Sequence, residues 1–544
     1  MNLSRRAFLA APALAPAFAQ SSRRPPNVII CITDDQGYGD LSLHGNPHLK
    51  TPQLDRIGTE GVQFTQFQVC PVCSPTRASL MTGRYNYRTG VVDTYLGRSM
   101  MYPDEVTLAE ILRAAGYRTG IFGKWHLGDC YPMRPMEQGF DESIVCSGGG
   151  LTQPSDPPGN RYHDPLLRVN GKWEKRQGYC TDIFFDETIR FIEKNRRNPF
   201  LAYLPTNAPH TPLEIDDKYW KPFEGKVDET TAKVYGMVQN LDGNMGKLHA
   251  ALERMGLVEN TILIYLTDNG PQQPRYVSGM RGRKGTVYQG GIRVPLFMRW
   301  PAMLKPAKID RIAAHIDIMP TLADACGAKA PTDRKIDGQS WMPLLRGDAT
   351  SWANRTLYTQ WHRGDVPQLF QANAARTQQY KLVDGKELYD LTADPAESRD
   401  IAAEKLEIAA KMRKGVEDWF RDVSAERGYA PPRIHLGAPQ EPLTTLTRQD
   451  WRGPKATWEP GGVGHWEVEV TRDARYDLTV RFPKATAPGE ASVTLGAYSG
   501  KAKFEAGAEA ATIAAAHLRK GPATLVPAID GGGTSPTYVD VKRS

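Results

Sequence analysis

Short, continuous apolar runs alternate with amphipathic segments along the first half of the chain. The runs occupy residues 28–33, 119–122, 200–204 and 261–267, and each is typical of a strand buried on both faces of a sheet. Between them apolar residues recur every three or four positions, as over 108–115 and 183–192, which predicts helices. This alternation predicts an α/β fold with a large, mostly parallel central sheet flanked by helices.

Two further patterns follow the predicted strands and helices. Residues 146–178 are rich in Gly, Pro, Asn and Asp and too long for a simple connection, so they form either the rim of a substrate pocket or an ordered surface loop. Strand-like pieces over 380–391 predict a hairpin, and the apolar spacing over 406–423 predicts an amphipathic helix. Together they predict a smaller α+β C-terminal lobe.

The C-terminal part of the chain has a different pattern. Residues 466–470 and 476–480 alternate apolar and polar side chains and are bounded by turn residues, as in half-buried antiparallel strands. We therefore predict an appended antiparallel β-sandwich domain over 437–544. It follows an α/β domain over 27–330 and an α+β subdomain over 331–427.

The N-terminus predicts export from the cytoplasm. Arg5 and Arg6 precede Phe8, an Ala/Pro/Leu stretch follows, and residues 17–19 form a small-x-small cleavage site. We expect residues 1–19 to be a signal peptide of twin-arginine type, with an ordinary secretory signal as the alternative. The first reading implies a bacterial protein that the twin-arginine translocase carries to the periplasm or beyond. Because no later apolar run is long enough to cross a bilayer, we expect no integral membrane association.

Composition and charge exclude several classes of protein. The 544 residues are 24% charged and 40% hydrophobic, which excludes global disorder. The 68 basic and 61 acidic residues leave a formal net charge of +7, too diffuse to predict a nucleic-acid partner. Seven cysteines are an odd number spread over a large chain, so a dense disulfide framework is not indicated, although one or two bridges are compatible with an oxidising compartment.

One cysteine stands in a sequence context that favours chemistry. Pro75 suits the first turn of a helix, so Cys73 is expected just ahead of a helix N-terminus, where unpaired backbone N–H groups favour an anion. A small buried cysteine with a purely structural role is the alternative interpretation. The surrounding pattern Cys73-x-Pro75-x-Arg77, followed by the tripeptide 82–84 (Thr-Gly-Arg), decides between them.

Acidic and amide side chains follow two of the predicted strands. Asp34 and Asp35 follow the first run, and Asp268 and Asn269 follow the run that ends at 267. An all-oxygen, carboxylate-rich set suits a hard divalent cation such as Ca²⁺ rather than zinc. Ordinary turn chemistry explains either pair taken alone.

The cysteine motif resembles the signature of type I sulfatases, in the alkaline phosphatase-like superfamily, and further matches follow in family order over about residues 27–425. The resemblance implies that a formylglycine-generating enzyme converts Cys73 to formylglycine, which Arg77 holds in place. It also implies sulfate contacts at Lys124, His210 and Lys284.

The same resemblance assigns the remaining site residues. His126 would lie beside formylglycine, and the catalytic set becomes Cys73, Arg77, His126 and His210. The Ca²⁺ ligands would be Asp34, Asp35, the modified Cys73, Asp268 and Asn269. One position departs from the family, because Gln289 stands where many relatives have Glu; we expect it to alter a supporting hydrogen bond or a charge near the pocket.

The resemblance implies a sulfatase that hydrolyses a sulfate ester. One hydroxyl of hydrated formylglycine attacks sulfur while His210 protonates the leaving oxygen, and the second hydroxyl then expels sulfate with His126 as base. The substrate is a sulfated carbohydrate or an aryl sulfate. We favour a sulfated polysaccharide, because export and an appended β-sandwich suit a polymer.

Two alternatives remain open on the sequence. A phosphonate monoester or phosphodiester hydrolase of the same superfamily can use the same site. A glycan-binding protein with a vestigial hydrolase domain is the second, with Trp451, Trp458 and Trp466 either binding sugar or forming core. Residues expected at the pocket rim are Asp156, Arg161, His163, Trp361 and His362.

Overall fold

The computed structural model describes residues 24–348, 352 and 354–544. The predicted signal peptide, residues 1–19, lies outside the described residues. All seven cysteines lie within them, and each is buried and free of a disulfide.

The first part of the described chain builds the central sheet and its helical layers. Strands β1–β12 are Asn27–Thr33, Val62–Phe64, Phe67–Gln68, Arg118–Lys124, Glu142–Cys146, Leu166–Val169, Lys172–Lys175, Phe200–Pro205, Thr261–Thr267, Leu296–Arg299, Ala307–Ile309 and Ala313–Ala314. Helices α1–α8 are Pro52–Thr59, Cys73–Thr82, Leu108–Ala114, Cys180–Asn195, Asp217–Trp220, Glu229–Arg254, Gln289–Ile292 and Ile318–Cys326. Single 3₁₀ turns occupy Ser42–His44, Asn86–Thr89, Lys221–Phe223 and His315–Asp317.

Ten strands form one sheet in the order β11-β2-β10-β9-β1-β8-β4-β5-β6-β7. Its centre, from β9 to β5, is parallel, and β10, β6 and β7 are antiparallel additions. All seven residues of β1 and of β9 are buried. This explains why the four predicted strands read as uninterrupted apolar runs, and it confirms the predicted α/β class with a mostly parallel sheet.

Helices cover both faces of the sheet. Ile30 of β1 packs in a core with residues of α2, α3 and α8, whereas its neighbour Ile29 packs in a second core with α1, α4 and α6. Because successive side chains of a strand point to opposite faces, each central strand contributes to both cores. The faces of the central strands are therefore covered by helices, and the carboxyl edge of the sheet is the place where a ligand can bind.

The segment 146–178 is not the continuous loop that its composition suggests. It contains the hairpin β6–β7, whose turn is Asn170-Gly171, and both turn residues have positive φ, 47° and 84°. An Asn-Gly pair between short strands is a strong hairpin signal, and the many surrounding Gly and Pro residues obscured it.

A second, smaller lobe follows. Strands β13–β16 are Leu357–Gln360, Asn373–Arg376, Tyr380–Val383 and Glu387–Asp390, and helices α9 and α10 are Met342–Leu345 and Leu406–Ala425. The four strands form an antiparallel sheet in chain order, so the predicted hairpin is confirmed as β15–β16. Met412 and Val416 of α10 pack on this sheet, as the apolar spacing predicted.

The C-terminal part forms two further sheets. Strands β17–β26 are Ile434–Leu436, Leu443–Thr447, Arg452–Lys455, Val463–Val470, Ala474–Arg481, Gly489–Leu495, Tyr498–Phe504, Ala510–Leu518, Gly521–Gly531 and Tyr538–Arg543. One sheet has the order β17-β20-β25-β22-β23, with β19 beside β20, and the other β18-β26-β21-β24. All pairs but β17–β20 are antiparallel, and the sheets share one core, as predicted for a sandwich.

That shared core decides the role of two tryptophans. Trp451 and Trp466 are 1% and 0% exposed, and Trp466 Nε1 donates to Thr447 O at 2.7 Å. They are core residues and do not present a sugar-binding face. The strand β17 begins before the predicted boundary at 437, and the boundaries 27–330, 331–427 and 437–544 stay predictions.

Two buried arginines fasten α10 to the central domain. Arg84, just after α2, donates to both carboxylate oxygens of Glu105 at 2.7 and 2.8 Å and also pairs with Glu426, the residue that follows α10. Arg88 pairs with Asp337 at 3.0 Å and with Asp422 of α10. The Thr-Gly-Arg tripeptide of the sequence motif therefore ends the helix that carries Cys73 and anchors the smaller lobe.

The Arg84 pair is expected to matter strongly for stability. Arg84 and Glu105 are 1% and 0% exposed, so Arg84→Ala leaves a buried carboxylate without its bidentate partner and should cost about 3–5 kcal/mol. Urea denaturation followed by tryptophan fluorescence measures the change. The control, Arg399→Ala, removes the exposed Arg399–Glu404 pair and should cost about 0–1 kcal/mol. Equal shifts in the two variants would contradict the anchoring role.

Candidate active site

Helix α2 presents Cys73 in its first turn, at the carboxyl edge of the sheet. Cys73 is the first residue of the helix and is 2% exposed, and every residue of the helix is buried. Burial raises the pKa of the Cys73 thiol, although Lys124 and Lys284 oppose this by favouring its charged form. The position therefore combines a helix N-terminus with two cations, which suits an anionic ligand.

The acidic cluster arises from the register of β1 and β9. Thr33 lies opposite Thr267, so the residues that follow each strand meet beyond the sheet. Asp35 N donates to Asp268 Oδ1 at 3.2 Å, and Asn269 Nδ2 donates to Asp35 Oδ1 at 2.8 Å. Asp35 has a left-handed φ of 63°, a conformation that costs a non-glycine residue about 1 kcal/mol and is concentrated at functional sites.

This cluster has the donors of a hard divalent cation. Among the described residues, Asp34 Oδ1 and Asn269 Oδ1 are buried oxygens without a hydrogen-bond partner. Ligand atoms of Asp34, Cys73 and Asp268 lie within 4.8 Å of one another, as do those of Asp34, Asp35 and His210. Unpaired oxygens are costly to bury, so the site's residues fit a bound cation that accepts them.

Three basic side chains converge on the carboxylates. Lys124 Nζ lies 2.6 Å from Asp34 Oδ2, and Lys284 Nζ lies 2.6 Å from Asp35 Oδ1. Arg77 Nη2 donates to Asp268 Oδ2 at 2.8 Å. Gly123, beside Lys124, allows β4 to lie close to the end of β8, because a Cβ at position 123 would lie 1.9 Å from Pro205 O.

Arg77 also ties the helix to the sheet, and the charges perturb one another. Its Nη1 donates to Lys124 O at 2.9 Å. Burial and the neighbouring Asp34 raise the pKa of Asp268 to about 7, against the opposing effect of Arg77. Burial alone would raise the pKa of Asp34, but Lys124, His210 and the other cations hold it below its usual value. The neighbouring cations thus favour the charged form of both carboxylates, against the effect of burial.

His126 is oriented by a backbone carbonyl. Its Nε2 lies 2.7 Å from Thr94 O, and since a carbonyl only accepts, Nε2 carries the hydrogen in this contact. Nδ1 is buried and has no hydrogen-bond partner among the described residues, so it is available as an acceptor. Burial and Lys124 hold the pKa of His126 well below its usual value, and Ser74 Oγ, next to Cys73, donates to His126 O at 2.9 Å. Like Asp35, His126 has a positive φ, 62°.

His210 lies beside Asp35. Its Nδ1 is 2.7 Å from Thr211 O, and its Nε2 is 3.6 Å from Asp35 Oδ2. Burial lowers the pKa of His210, although Asp35 opposes the effect. The side chains of His210 and Lys284 are 11% and 16% exposed, more than the other site residues, so they mark the mouth of the pocket.

The ten site residues chosen from the sequence therefore lie together in one cluster at the carboxyl edge of the sheet. The five residues expected at the pocket rim lie in different surroundings. Trp361 Nε1 donates to Asp93 Oδ1 at 2.9 Å, and its ring lies against Gly285, next to Lys284. His362 is buried. His163 lies 3.5 Å from Asp216, Arg161 is exposed, and Asp156 is buried and hydrogen-bonded to Asn160.

The departure at Gln289 has a local explanation. The backbone N of Gln289 donates to Glu397 Oε2 at 2.6 Å, and Glu397 Oε1 lies 2.5 Å from Lys381 Nζ with both side chains fully buried. A carboxylate from the smaller lobe thus supports this turn. The amide oxygen of Gln289 has no partner among the described residues.

Sequence reasoning missed the residues that hold the site in place from a distance. Arg275 donates to Asp35 O at 2.7 Å and to both carboxylate oxygens of Asp40. Gln449, in the turn between β18 and β19, donates through Nε2 to Thr94 O at 3.0 Å, the carbonyl that also orients His126. The backbone carbonyl of Gln449 accepts from Gly97 N at 2.9 Å. A charged or amide residue in an irregular segment carries no periodic signal, so nothing in the pattern indicated them.

Comparisons with known proteins agree with this geometry. Residues 26–328 match the family model described as Sulfatase, and residues 283–422 match that of N-sulphoglucosamine sulphohydrolase, C-terminal. The chain is 31% identical to arylsulfatase A of Homo sapiens, over 70% of this chain and 80% of that protein. It is 29% identical to steryl-sulfatase of Mus musculus, over 82% of this chain and 88% of that protein.

A solved structure gives the same result. The structure described as Ps i-CgsB in complex with k-i-k-neocarrahexaose superposes with a TM-score of 0.68 and 28% identity, covering 74% of this chain and 94% of that one. The chain belongs to the sulfatase family, whose members are sulfuric ester hydrolases. None of the helices in the described residues is long and apolar enough to span a membrane.

The contact of Gln449 predicts an effect on turnover. Gln449→Ala removes one donor from the Thr94 carbonyl and loosens the orientation of His126, so kcat on an aryl sulfate should fall about fivefold to tenfold, equivalent to about 1–1.4 kcal/mol, with little change in KM. Gln449→Glu keeps the shape but offers only oxygens to a carbonyl, and should be impaired as well.

Steady-state kinetics and a melting curve distinguish an effect of Gln449→Ala on the orientation of His126 from an effect on the stability of the fold. The exposed Gln440 of the same region supplies the control Gln440→Ala, which should leave kcat unchanged. A lower melting temperature with an unchanged kcat in Gln449→Ala would assign this contact a purely structural role.

Proposed function

We propose that the protein hydrolyses sulfate esters of carbohydrates, using formylglycine formed from Cys73 and a bound Ca²⁺. The observation that carries the proposal is the position of Cys73, in the first turn of α2 and beside Lys124, Lys284 and the buried carboxylates. A sulfate ester is an anion that gains charge on its leaving oxygen during cleavage. A cationic, water-poor site stabilises that charge.

The modified residue supplies one part of the chemistry. Hydrated formylglycine offers a hydroxyl as nucleophile and a second hydroxyl through which sulfate is released. Its environment fits such a polar group, because Lys124 and Lys284 flank Cys73 and Arg77 fastens the helix that carries it.

The protein's own side chains bind the sulfate and move protons. Lys284, at the mouth, and Lys124, at the base, contact the sulfate oxygens as they now contact Asp35 and Asp34. In its imidazolium form, which Asp35 favours from 3.6 Å, His210 donates a proton from Nε2 to the leaving oxygen, while Nδ1 stays hydrogen-bonded to Thr211 O. His126 accepts a proton at its free Nδ1, since Nε2 is engaged with Thr94 O.

Five side chains would hold the metal: Asp34, Asp35, the modified Cys73, Asp268 and Asn269. The unpaired oxygens of Asp34 and Asn269 support this assignment, and an oxygen-rich donor set favours Ca²⁺ over zinc. The bound cation would add positive charge beside the sulfate.

The substrate class and the site of action complete the proposal. The superposed structure Ps i-CgsB carries a bound carbohydrate, k-i-k-neocarrahexaose, which supports a sulfated carbohydrate for this chain. The sequence of residues 1–19 supports export by the twin-arginine translocase to the periplasm or beyond, after a formylglycine-generating enzyme has acted in the cytoplasm.

Mass spectrometry tests the modification directly. The tryptic peptide 57–77 contains Cys70 and Cys73, so Cys70 serves as an internal control. In protein purified from its native host we expect Cys73 alone as the aldehyde or its hydrate. An unmodified Cys73 thiol in active protein would overturn the formylglycine assignment.

Variants and parallel substrates test the reaction. Cys73→Ala should lower kcat/KM on 4-nitrophenyl sulfate by at least about 10⁴-fold, whereas Cys70→Ala, also buried but outside the cluster, should keep most activity. Assays with a phosphonate monoester and a phosphodiester identify the main alternative. A phosphodiester rate above the sulfate rate would assign the chain to that alternative.

Metal removal tests the Ca²⁺ site. Dialysis against EDTA should abolish sulfatase activity and lower the melting temperature, because a cation at 100 times its Kd stabilises the folded state by about 2.7 kcal/mol. Added Ca²⁺ should restore both. Zn²⁺ should not, and identical melting curves with and without chelator would contradict a resident metal at this cluster.

A further inference from the structure

A cavity of about 400 Å³ lies between the central domain and the C-terminal sheets. The β6–β7 hairpin and the loop 155–158 form one wall, and strands β18, β21 and β26 form the other. We call it the interdomain cavity. Each wall carries an aromatic residue and an arginine. None of the lining residues belongs to the cluster around Cys73.

Each wall holds an aromatic ring with an arginine stacked on it. On the hairpin, Arg168 lies over the ring of Trp173 at 5.0 Å, and Trp173 is 38% exposed. On the facing strands, Arg481 lies over the ring of Tyr538 at 4.5 Å and pairs with Asp540 at 2.9 Å. Planar apolar rings beside charged hydrogen-bonding groups match a pyranose, which has an apolar face and a polar edge.

Arg168 differs from Arg481 in its partners. Its Nη1 donates to the backbone carbonyl of Asp129, and its buried Nε has no hydrogen-bond partner in the described part of the chain. Buried carboxyl groups, among them Asp129 and Asp450, lie close to Arg168 and offset its charge. The guanidinium therefore suits the hydroxyl oxygens of a sugar, to which it can donate hydrogen bonds. Asp156, also in the lining, is a carboxyl that can pair with hydroxyl groups.

One loop connects the interdomain cavity to the catalytic histidines. Asp129 Oδ2, in the cavity lining, accepts from Gly148 N at 2.8 Å. The next residue, Gly149, packs so closely on His126 that a Cβ there would lie 2.7 Å from Cε1 of the imidazole. Asp156, at the other end of the same loop, accepts from Thr152 N at 3.0 Å. The cavity and the active site therefore share a wall.

We propose that the interdomain cavity binds sugar units of a carbohydrate chain whose sulfated residue occupies the active site. Trp173 and Tyr538 supply the packing faces, and Arg168 donates hydrogen bonds to oxygens of the sugar. The inference rests on the proposed function, because it assigns to that reaction a carbohydrate substrate longer than one unit. It gives the C-terminal sheets a direct role in binding substrate.

Affinity electrophoresis of the full-length protein tests binding without requiring catalysis. Native gels contain κ-carrageenan, chondroitin sulfate, fucoidan, hyaluronan or dextran. We expect at least one polymer to retard the wild type and the Cys73→Ala variant equally. Trp173→Ala and Tyr538→Ala should each weaken that retardation about threefold to tenfold, the effect of losing one aromatic packing contact.

Charge and folding are controlled in the same experiment. The protein has a formal net charge of +7 and binds polyanions non-specifically, but neither substitution alters charge, so a lost retardation reports the cavity. Trp220→Ala, on α5 outside the cavity, is the matched control and should migrate as the wild type. Melting curves identify any variant that fails to fold, in which case the milder Trp173→Leu and Tyr538→Leu replace it.

Each outcome decides the proposal. Absence of retardation by every polymer, or equal retardation of the wild type and both cavity variants, overturns it. Hydrolysis of 4-nitrophenyl sulfate is measured in parallel and should be unchanged in the cavity variants. A wild type that does not hydrolyse 4-nitrophenyl sulfate would contradict the proposed function. The gels would still decide whether the cavity binds carbohydrate.

Discussion

The structure depends on keeping three carboxylates and three cations buried together at the carboxyl edge of one sheet. Asp34, Asp35 and Asp268 face Lys124, Lys284 and Arg77, so the cluster is electrically balanced before any ligand binds. Breaking such a set leaves an uncompensated buried charge, which costs several kcal/mol. The parallel centre of the sheet, the fully buried helix α2 and the tight approach at Gly123 all hold these charges at contact distance. A divalent cation added to a balanced set leaves a net positive centre for a sulfate.

Much of this arrangement was readable from the sequence, because its causes are local. The runs that became β1 and β9 are apolar throughout since both faces of the sheet are covered, and the polar residues directly after them must meet at one edge. Pro75 correctly predicted a helix beginning at the cysteine motif. The turn Asn170-Gly171 was also a local signal, hidden in a segment whose composition suggested only a loop.

The parts that could not be predicted depend on contacts between distant segments. Gln449 and Thr94 are 355 residues apart, and Arg275 and Asp35 are 240 apart. Single polar side chains in irregular segments have no periodicity, and only the docking of the lobes brings them to the site. The same holds for Glu397, whose carboxylate supports the turn at Gln289 from another sheet. Lobes other than the one that carries Cys73 thus take part in shaping the pocket.

The unequal exposure of the site residues has a consequence for the order in which products would leave in the proposed reaction. His210 and Lys284 are the most exposed of the site residues, while Lys124 and Arg77 at the base are fully buried. A sulfate ester must enter with its sulfate first, so the alcohol produced by cleavage occupies the mouth and the sulfate lies behind it. We therefore expect the alcohol to depart first and inorganic sulfate last. Free sulfate should then compete with substrate for the empty enzyme, and turnover should slow as sulfate accumulates at the base of the pocket.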